Sequence, residues 1–488
     1  MSKFNATKHP AEPDTMTYEG GAAFSKNLED EWANALFSSY LEDGFYESRE
    51  KRMERYIELT RAMIEKYGPK FVARAAEFSR NCLGMRSISQ LTAALVNPFY
   101  FMGKRDFYRN YMHRPDDVSE IFSILESLGE KRSHALVRGA GDYLSNIDGY
   151  LLDKYRMANK AWSMFDLINV THAHSTAIDK MKSGTLDKAG TWEQKISASN
   201  SKEEKEENWR ELVEGGKLGY LALIRNLNNI LGCEFCTHDW MTRYLYPQVK
   251  NSVAIKKSLV FPYQIYCAYK NLKQRPLDLV SALDIAFRTS IGNVPCLDGA
   301  SCVILDVSGS MFTPISSHSD MLIVEVGAVY AAMIYLSNKD STFIKFGDNA
   351  KECNYGRLNN VFDLIQKMQD NDGCGYCTNV IPAISGLYKH YDRIFLISDM
   401  QVMDASSSWW SSSRSAKDAL HAYERKYGRT KVYSFDLGNY PSQITNPAEG
   451  NLFYMTALND SVFKILGFFE MGGKSLVDYI NSHYVDVV

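Results

Sequence analysis

The stretch that decides the fold spans residues 302–311 and reads Cys-Val-Ile-Leu-Asp-Val-Ser-Gly-Ser-Met. Its apolar first half predicts a buried strand that carries Asp306 at its carboxyl end. The short turn that follows directs the hydroxyl groups of Ser308 and Ser310 toward the same point. One carboxylate and two hydroxyls are hard oxygen ligands of the kind that Mg²⁺ and Mn²⁺ prefer. The stretch therefore predicts a divalent-metal site at the end of a strand.

The residues after this stretch alternate between helical and extended patterns. Apolar spacing predicts helices over 321–336 and 361–368, and strands over 341–346, 394–399 and 432–436. Strands that alternate with helices indicate a parallel sheet covered by helices on both faces. In such sheets ligands bind beyond the carboxyl ends of the strands. Asp399 ends one of these strands, and a glycine-bearing loop over 373–379 carries Thr378 toward the same edge.

This combination resembles the von Willebrand factor A domain family. The shared features are Asp-x-Ser-Gly-Ser-Met, a later glycine-rich loop with a threonine, and a later strand that ends in aspartate. The resemblance implies a Rossmann-like α/β fold and a metal-ion-dependent adhesion site, abbreviated MIDAS, that holds a divalent cation, with Mg²⁺ as the expected ion. One coordination position would remain for a partner's acidic group or for water. The implied ligands are Asp306, Ser308, Ser310, Thr378 and Asp399. The alternative is a Rossmann-like sheet whose loops carry polar turn residues and bind no metal.

Length and composition indicate an ordinary globular protein of more than one domain. A chain of 488 residues is too long for a single core, and its 45% hydrophobic and 23% charged residues are typical of folded domains. No apolar run approaches the length of a membrane span, and the first residues lack the apolar core of a signal peptide, so we expect a cytoplasmic protein.

Nine cysteines, an odd number, favour free thiols over a disulfide framework. Two Cys-x-x-Cys pairs stand out, Cys233 with Cys236 and Cys374 with Cys377. We expect ordinary thiols here as well. A structural zinc site and a redox pair are the alternatives.

Charge is concentrated in one segment. The whole chain has a formal charge of −3, but residues 51–114 contain 13 basic and 5 acidic side chains, a balance of +8. Aromatic residues such as Phe101 and Tyr111 are interleaved with these basic residues. Basic side chains bind the phosphate backbone of nucleic acids and aromatic rings stack on bases. The alternative is a solvated helical surface over buried aromatic residues.

The first 300 residues show almost only helical patterns. Apolar spacing predicts helices over 54–66, 69–80, 118–128 and 218–231. Short breaks at glycine and proline predict helical hairpins, as in a bundle or a helical solenoid. Residues 181–210 are rich in Lys, Glu, Ser, Gly and Asn, and we interpret them as a polar excursion between helices.

The helical part resembles the TROVE module of the Ro autoantigen family. The motifs that carry this resemblance are Tyr155-Arg156, Lys160-Ala161-Trp162-Ser163, the segment 166–172, the segment 221–227 and the segment 257–265. In Ro proteins this module precedes a von Willebrand factor A domain, so both resemblances indicate one family, here as a bacterial or phage-like homologue. The implied domains are an N-terminal extension over 1–19, an all-α TROVE-like domain over 20–298, and an A-like domain with a C-terminal segment over 299–488.

The resemblance implies a ring of HEAT-like helical repeats that binds small noncoding Y-like RNA or the ends of misfolded RNA. An exoribonuclease or another protein would be the partner of the A domain. The implied RNA-binding residues are Arg80, Arg86, Arg156, Lys160, His172 and Arg225, because cations pair with phosphates and imidazole stacks on bases. The chain departs from the family at Asn169 and at His172-Ala173-His174-Ser175, where relatives often carry basic residues.

No catalytic motif supports an enzyme. The sequence contains no Gly-x-x-x-x-Gly-Lys-Ser/Thr, no Gly-x-Ser-x-Gly and no His-Glu-x-x-His. We therefore expect a non-catalytic, Ro-type RNA-binding protein with a metal-dependent docking domain. The alternatives are a protein-interaction scaffold that captures an acidic partner residue through the metal, and a metal-dependent nuclease.

Overall fold

The fold was analysed on a computed structural model of the full chain. It describes residues 13–38, 47–157, 160–292, 297–315, 320–355, 358, 360–401, 415–444, 451–456 and 461–483. Within these ranges, no helix combines the length and the apolar character that crossing a membrane requires.

The chain forms two compact units. The sheet unit comprises Met1–Asn27, Glu42–Ser48 and Asn200–Lys474, and the helical unit comprises Leu28–Leu41, Arg49–Ser199 and Ser475–Val488. The helices over 202–291 therefore group with the sheet by packing. The predicted division into sequence domains at residue 298 stays a prediction, because packing units and sequence families are different divisions of a chain.

The helical unit is built from short amphipathic helices that bury their apolar faces against sequence neighbours. In α6, for example, Ile121, Phe122 and Leu125 are fully buried. The helices are α1 (Leu28–Ser38), α2 (Arg49–Tyr67), α3 (Pro69–Asn81), α4 (Ser87–Leu95), α5 (Lys104–Tyr111), α6 (Pro115–Ser127), α7 (His134–Asn146), α8 (Gly149–Lys154), α9 (Met164–Thr171), α10 (Thr176–Lys182) and α11 (Trp192–Ser197).

The sheet unit begins its helical part after residue 200. Its helices before the sheet are α12 (Lys202–Glu214), α13 (Tyr220–Arg225), α14 (Leu227–Leu231), α15 (His238–Trp240), α16 (Tyr246–Val249), α17 (Ser252–Ser258), α18 (Pro262–Lys270) and α19 (Leu277–Ile291). A π-helical turn over Met241–Leu245 joins α15 to α16. The helices among and after the strands are α20 (Ile323–Ser337), α21 (Val361–Gln369), α22 (Ile381–Ser385), α23 (Ala416–Tyr427) and α24 (Ser461–Glu470); α25 (Leu476–Ser482) returns to the helical unit.

Two sheets lie in the sheet unit. The strands are β1 (Thr15–Met16), β2 (Ala22–Ser25), β3 (Ser301–Asp306), β4 (Ser341–Phe346), β5 (Ala350–Cys353), β6 (Arg393–Ser398), β7 (Lys431–Asp436), β8 (Ser442–Gln443) and β9 (Leu452–Thr456). The large sheet has the order β5-β4-β3-β6-β7-β9, and the small sheet has the order β1-β2-β8. All pairs of the large sheet are parallel except β4 with β5. The predicted parallel sheet with helices is therefore present, with one antiparallel edge strand.

The order of the large sheet places a topological switch point beside β3. After β3 the chain continues to β4 on one side, and later to β6 on the other side of β3. Loops that leave β3 and β6 in opposite directions open a crevice at the carboxyl ends of these strands. Asp306 is the last residue of β3, and Asp399 follows the last residue of β6. The fold thus places both predicted ligands at the crevice.

The core explains why these residues fold in this way. Every residue of β3 and β6 is buried, as expected for central parallel strands. Helix α20 is buried along most of its length, and Gly327 lets it approach the sheet, since a Cβ there would stand 2.8 Å from Leu305 Cδ1. Tyr269 of α18 stacks on Phe362 of α21 with ring centroids 3.8 Å apart, which joins the helical part to the sheet.

Two sequence predictions differ from the structure. The predicted helix over 218–231 is divided at Asn226, whose side chain donates to the carbonyl of Ala222 at 2.9 Å and so competes with the helix for its own backbone acceptors. The polar excursion over 181–210 contains α11 and the start of α12. Thr191 and Ser201 accept from backbone N–H groups three residues on and act as N-caps. A Ser/Thr-x-x-Glu/Gln pattern at both positions carried this information.

A buried ion pair fixes the N-terminal hairpin to the large sheet. Lys26, directly after β2, donates to Asp436 at the end of β7 at 3.1 Å, and both side chains are 0% exposed. The backbone N–H groups of Gly438 and Asn439 also donate to Asp436, at 2.7 and 2.8 Å. Strand β2 pairs with β8 through Phe24 and Gln443. Residues 13–26 are therefore an integral part of the sheet unit.

We predict that Lys26→Met lowers the free energy of unfolding by about 3–5 kcal/mol, because it leaves the Asp436 carboxylate buried without its cation. The double variant Lys26→Met/Asp436→Asn removes both charges and should recover most of this loss. Urea denaturation at pH 7 provides the measurement. A double variant that is as unstable as the single one would show that packing, and not the ion pair, carries the effect.

Candidate functional site

Asp306 anchors the crevice at the carboxyl edge of the sheet. Its side chain is fully buried. One carboxylate oxygen accepts from the Ser308 backbone N–H at 2.8 Å, and the other accepts from the Ser398 hydroxyl at 2.6 Å. The turn after β3 and the end of β6 thus hold the carboxylate in one orientation.

Ser308 and Ser310 lie on the turn that follows Asp306. Their hydroxyl oxygens are 3.4 Å apart, and Ser308 is buried whereas Ser310 is half-buried. A short 3₁₀ turn over Gly309–Phe312 brings the two hydroxyls to the same side. The sequence prediction that both serines face one point agrees with this arrangement.

The loop over 371–379 is fastened to the β3 turn. Asn371 donates its side-chain amide to the carbonyls of Val307 and Gly375, both at 2.8 Å. The Gly309 N–H donates to the Tyr376 carbonyl at 2.9 Å. Thr378, on the same loop, is buried. These backbone connections bring the Thr378 loop to the crevice that holds Asp306.

Among the buried carboxylates of the crevice, Asp399 accepts the fewest hydrogen bonds. It is buried, and its Oδ1 accepts from the Gln401 N–H at 3.2 Å. Its Oδ2 atom is buried and accepts no hydrogen bond. A buried carboxylate oxygen without a donor is costly, so a cation at this position would lower the free energy of the folded state.

The electrostatics of the crevice follow from burial. Burial raises the pKa of Asp306 to about 6, against the lowering effect of hydrogen bonds from Ser398 and Ser308. Burial, and then repulsion from Asp306, raises the pKa of Asp399 to about 7. Two neighbouring carboxyls that both resist ionisation are a site where a divalent cation would replace protons.

The residues present fit a hard divalent cation. Two carboxylates and the three hydroxyls of Ser308, Ser310 and Thr378 are oxygen donors only, which suits Mg²⁺ or Mn²⁺ and not zinc. Across the described part of the chain, no cluster of three or more His, Cys, Asp or Glu side chains could hold a metal. The crevice is not a cluster of this kind, because three of its five candidate ligands are hydroxyl oxygens.

Sequence reasoning missed three residues of this edge. Asp436 places a third buried carboxylate at the end of β7, Ser398 orients Asp306, and Gln401 contacts both Asp399 and the N-terminal hairpin. The strand over 432–436 visibly ends in aspartate, which was a usable signal for Asp436. The roles of Ser398 and Gln401 depend on strand neighbours that only the sheet order reveals.

The predicted RNA-binding residues have different surroundings. Five of them lie in the helical unit, and Arg225 lies in the sheet unit. Arg80 is only 8% exposed and donates to both carboxylate oxygens of Asp117, at 3.1 and 2.9 Å. A side chain held in a buried bidentate pair is not available to a ligand, so its geometry gives Arg80 a structural role.

The aromatic residues of the basic segment are also structural. Phe101, Phe107, Tyr108 and Tyr111 are buried, so their rings are not available to stack on bases. Burial of these rings is the alternative that the sequence left open. Lys104 of the same segment is buried and donates to the carbonyls of Asn97 and Phe99.

Several basic side chains line one helix, α6. Arg86 and Arg114 both donate to Asp116, at 2.7 and 2.9 Å, and Lys160 donates to Glu120 at 3.2 Å. Arg132 stacks on the ring of Trp162, 4.5 Å from the centroid, and pairs with Glu126. We call this surface the α6 strip, defined by Arg86, Arg114, Arg132, Lys160 and Trp162.

Arg156 and His172 are accessible in the same unit. Arg156 is exposed and pairs with Asp153 at 2.7 Å. His172 is exposed and ends α9 with a φ of 54°, the left-handed conformation that closes many helices. Both side chains present donor groups to solvent.

Arg225 lies beside a cavity in the sheet unit. The cavity has a volume of about 390 Å³ and is lined by α13, α14 and α18, including Asn228, Tyr263, Gln264 and Asn271. Arg225 is exposed, and no hydrogen bond or ion pair to its guanidinium occurs among the described residues. A free guanidinium beside an aromatic ring and amide groups is a suitable environment for a nucleotide.

The cysteines that the structure describes show no redox or zinc arrangement. The eight cysteines that the structure describes are free thiols. Burial raises the pKa of Cys233 and Cys236 to about 11, which keeps both protonated near neutral pH. A hydrogen bond with Asp348 and burial raise the pKa of Cys377. These environments favour ordinary thiols.

Comparison with known proteins finds a family match in the helical part. Residues 151–281 match the TROVE domain family. Arg156, Lys160, His172 and Arg225 all lie inside the matched residues. No curated protein matches the chain by sequence.

The fold of nearly the whole chain is similar to that of a solved Ro protein. The crystal structure of the Deinococcus radiodurans Ro (RSR) protein matches with a TM-score of 0.65 and 16% identity, over 91% of this chain and 100% of that chain. At this identity the likeness is one of fold. With the TROVE match, it confirms the predicted resemblance to the Ro family.

We predict that Asp399→Asn stabilises the chain much more at pH 8 than at pH 5, in buffer with a chelator. The folded chain keeps its proton on Asp399 up to about pH 7, whereas the unfolded carboxyl titrates near pH 4. Stability from this group is therefore present at low pH and lost as the pH rises from about 4 to about 7. Asparagine stays neutral, so the gain at pH 8 should be on the order of 4 kcal/mol, about three pKa units at about 1.4 kcal/mol each.

Urea denaturation at both pH values provides the measurement, with Asp239→Asn as a matched control at an exposed aspartate of the same unit. Equal effects of Asp399→Asn at pH 5 and pH 8 would contradict the raised pKa.

Proposed function

We propose that this chain is a cytoplasmic, non-catalytic RNA-binding protein of the Ro type, which binds small noncoding or misfolded RNA through its TROVE helices. The main support for this proposal is the TROVE match over residues 151–281. These residues include exposed cationic side chains and the exposed His172. Phosphate groups are the ligands that such side chains pair with most strongly, and an exposed imidazole or indole stacks on a base. The RNA is Y-like RNA or the end of a misfolded RNA.

The α6 strip could bind the phosphates of RNA, but its cations are partly neutralised by carboxylates. Each of its cations already has a carboxylate partner, so a phosphate would compete with Asp116, Glu120 or Glu126. Exposed ion pairs are worth little in water, and the phosphates of an RNA chain, with one negative charge per nucleotide, can displace the carboxylates. Arg225 faces no such competition.

We further propose that the domain after residue 299 is a von Willebrand factor A domain whose crevice binds Mg²⁺ for partner docking. Asp306, Ser308, Ser310, Thr378 and Asp399 would hold the ion, and the bound ion would supply a positive charge to an acidic group. The unpaired Oδ2 of Asp399 supports this assignment. The same observation favours a second function, a scaffold that captures an acidic residue of a protein such as an exoribonuclease.

RNA binding is tested with the double variant Lys160→Ala/His172→Ala. We expect about tenfold weaker binding of a hairpin RNA with a single-stranded 3′ tail, because a phosphate contact and a stacking or donor group are lost. The slope of log K against log salt should become shallower by about 1 for the lost lysine contact. Fluorescence anisotropy over a series of KCl concentrations measures both quantities.

Lys66→Ala is the matched control, because Lys66 is another exposed lysine of the helical unit with an acidic partner, Glu29. Unchanged affinity and salt slope in the double variant would contradict RNA binding at this surface. Unmeasurable RNA binding by the wild-type chain would favour the scaffold.

The Arg225 cavity makes a separate prediction. Arg225→Gln should weaken binding of the same RNA about fivefold, since a charge-assisted hydrogen bond to a phosphate is worth about 1 kcal/mol or more. Arg288→Gln is the control, an exposed arginine of the same unit that pairs with Asp284. Equal loss in both variants would indicate a general charge effect and no contact at the cavity.

A further inference from the structure

The N-terminal hairpin reaches the metal crevice. The Tyr18 N–H donates to the side-chain oxygen of Gln401 at 2.8 Å. Gln401 in turn donates its own N–H to Asp399 Oδ1 at 3.2 Å. The turn of the hairpin is therefore two hydrogen bonds away from a predicted metal ligand, although more than 380 residues of chain separate them.

Three further contacts hold the hairpin at this place. The Tyr18 ring packs edge-on against Tyr440, with centroids 5.5 Å apart, and Tyr440 is buried. Strand β2 pairs with β8. Lys26 forms the buried ion pair with Asp436. Together, these contacts hold the hairpin turn in a fixed position on the sheet unit.

Glu19 stands at the apex of this turn. The N–H of Thr17 donates to the Gly21 carbonyl at 2.9 Å, and Gly20 adopts a φ of 81°, so the chain reverses at Tyr18 and Glu19. Glu19 is exposed and directly follows Tyr18, whose N–H is bound by Gln401.

The crevice itself needs an additional group. The Oδ2 of Asp399 is buried without a donor, and the Nε2 of Gln401, the residue that holds the hairpin, is buried without an acceptor. Asp348, another carboxylate near this loop, is engaged by the Tyr376 N–H at 3.1 Å. A divalent cation bound by two carboxylates has coordination positions left for a further oxygen.

We propose that Glu19 is an acidic ligand of the metal crevice supplied by the chain itself, so that the N-terminal hairpin closes the coordination position otherwise left to a partner. This proposal depends on the proposed metal binding. A third carboxylate brought beside Asp306 and Asp399 would be repelled in the absence of a cation, so a bound ion would be needed to draw the hairpin turn onto the crevice. A tethered carboxylate acts at an effective concentration in the millimolar range, which a partner's acidic group must exceed.

The test is the affinity of the full-length chain for Mn²⁺, used as the probe ion in isothermal titration calorimetry. We expect Glu19→Gln to bind Mn²⁺ about tenfold more weakly than the wild type, because one charged oxygen ligand is lost. Asp306→Ala should abolish binding. Glu193→Gln, at an exposed glutamate of the helical unit, is the matched control and should bind as the wild type does.

Chemical rescue distinguishes a ligand from a general charge effect. Added acetate should restore much of the Mn²⁺ affinity of Glu19→Gln, because acetate can occupy the vacated position, and should leave the affinity of the wild type unchanged. Equal Mn²⁺ affinity of Glu19→Gln and the wild type, with binding abolished in Asp306→Ala, would overturn the role of Glu19 and leave the metal crevice intact. Absence of Mn²⁺ binding by the wild type would overturn both.

Discussion

Three buried carboxylates at one edge of a parallel sheet impose the strongest physical constraint on this protein. Asp306, Asp399 and Asp436 end or follow β3, β6 and β7, and each is at least 99% buried. Burying a charged carboxylate without compensation costs several kcal/mol, so the surrounding chain must supply donors or cations. The three residues solve this problem in three different ways.

Asp436 is compensated by a cation and two backbone N–H groups, and this recruits Lys26 and with it the N-terminal hairpin. Asp306 is compensated by the neutral donors Ser308 and Ser398, which fixes its orientation. Asp399 keeps one oxygen without any donor. Along the sheet edge, Asp399 at β6 is the least compensated of the three and lies between Asp436 at β7 and Asp306 at β3. A cation would therefore bind beside Asp399, on the side of Asp306 and not of Asp436, which already has a cation.

Much of this edge could be predicted from the sequence, because apolar runs that end in aspartate mark the carboxyl ends of parallel strands. The approximate bounds of β3, β6 and β7, and the crevice at their carboxyl ends, followed from that rule, whereas metal binding in this crevice stays a prediction. The hairpin over 15–25 could not, since its strands are short and are stabilised by Lys26 and Gln443, far apart in the chain. The division of the helix at Asn226 arises from a local side-chain hydrogen bond that apolar spacing does not register.

For the proposed RNA-binding surface, the sequence overstated the positive charge that is available. A charge of +8 over residues 51–114 suggested a strongly basic face. Arg80 and Lys104, however, donate to buried acceptors. Three further arginines pair with aspartates outside that segment, namely Arg86, Arg105 and Arg114. Net charge counted along the chain therefore overstates the potential that an RNA would meet. Affinity at such a surface depends on how readily phosphates displace exposed carboxylates. Arg225 would contribute more than the paired cations, because a phosphate would not have to displace a carboxylate from it. A protein built in this way would bind RNA with moderate strength and favour single-stranded ends that also offer a base to Trp162, His172 or Tyr263.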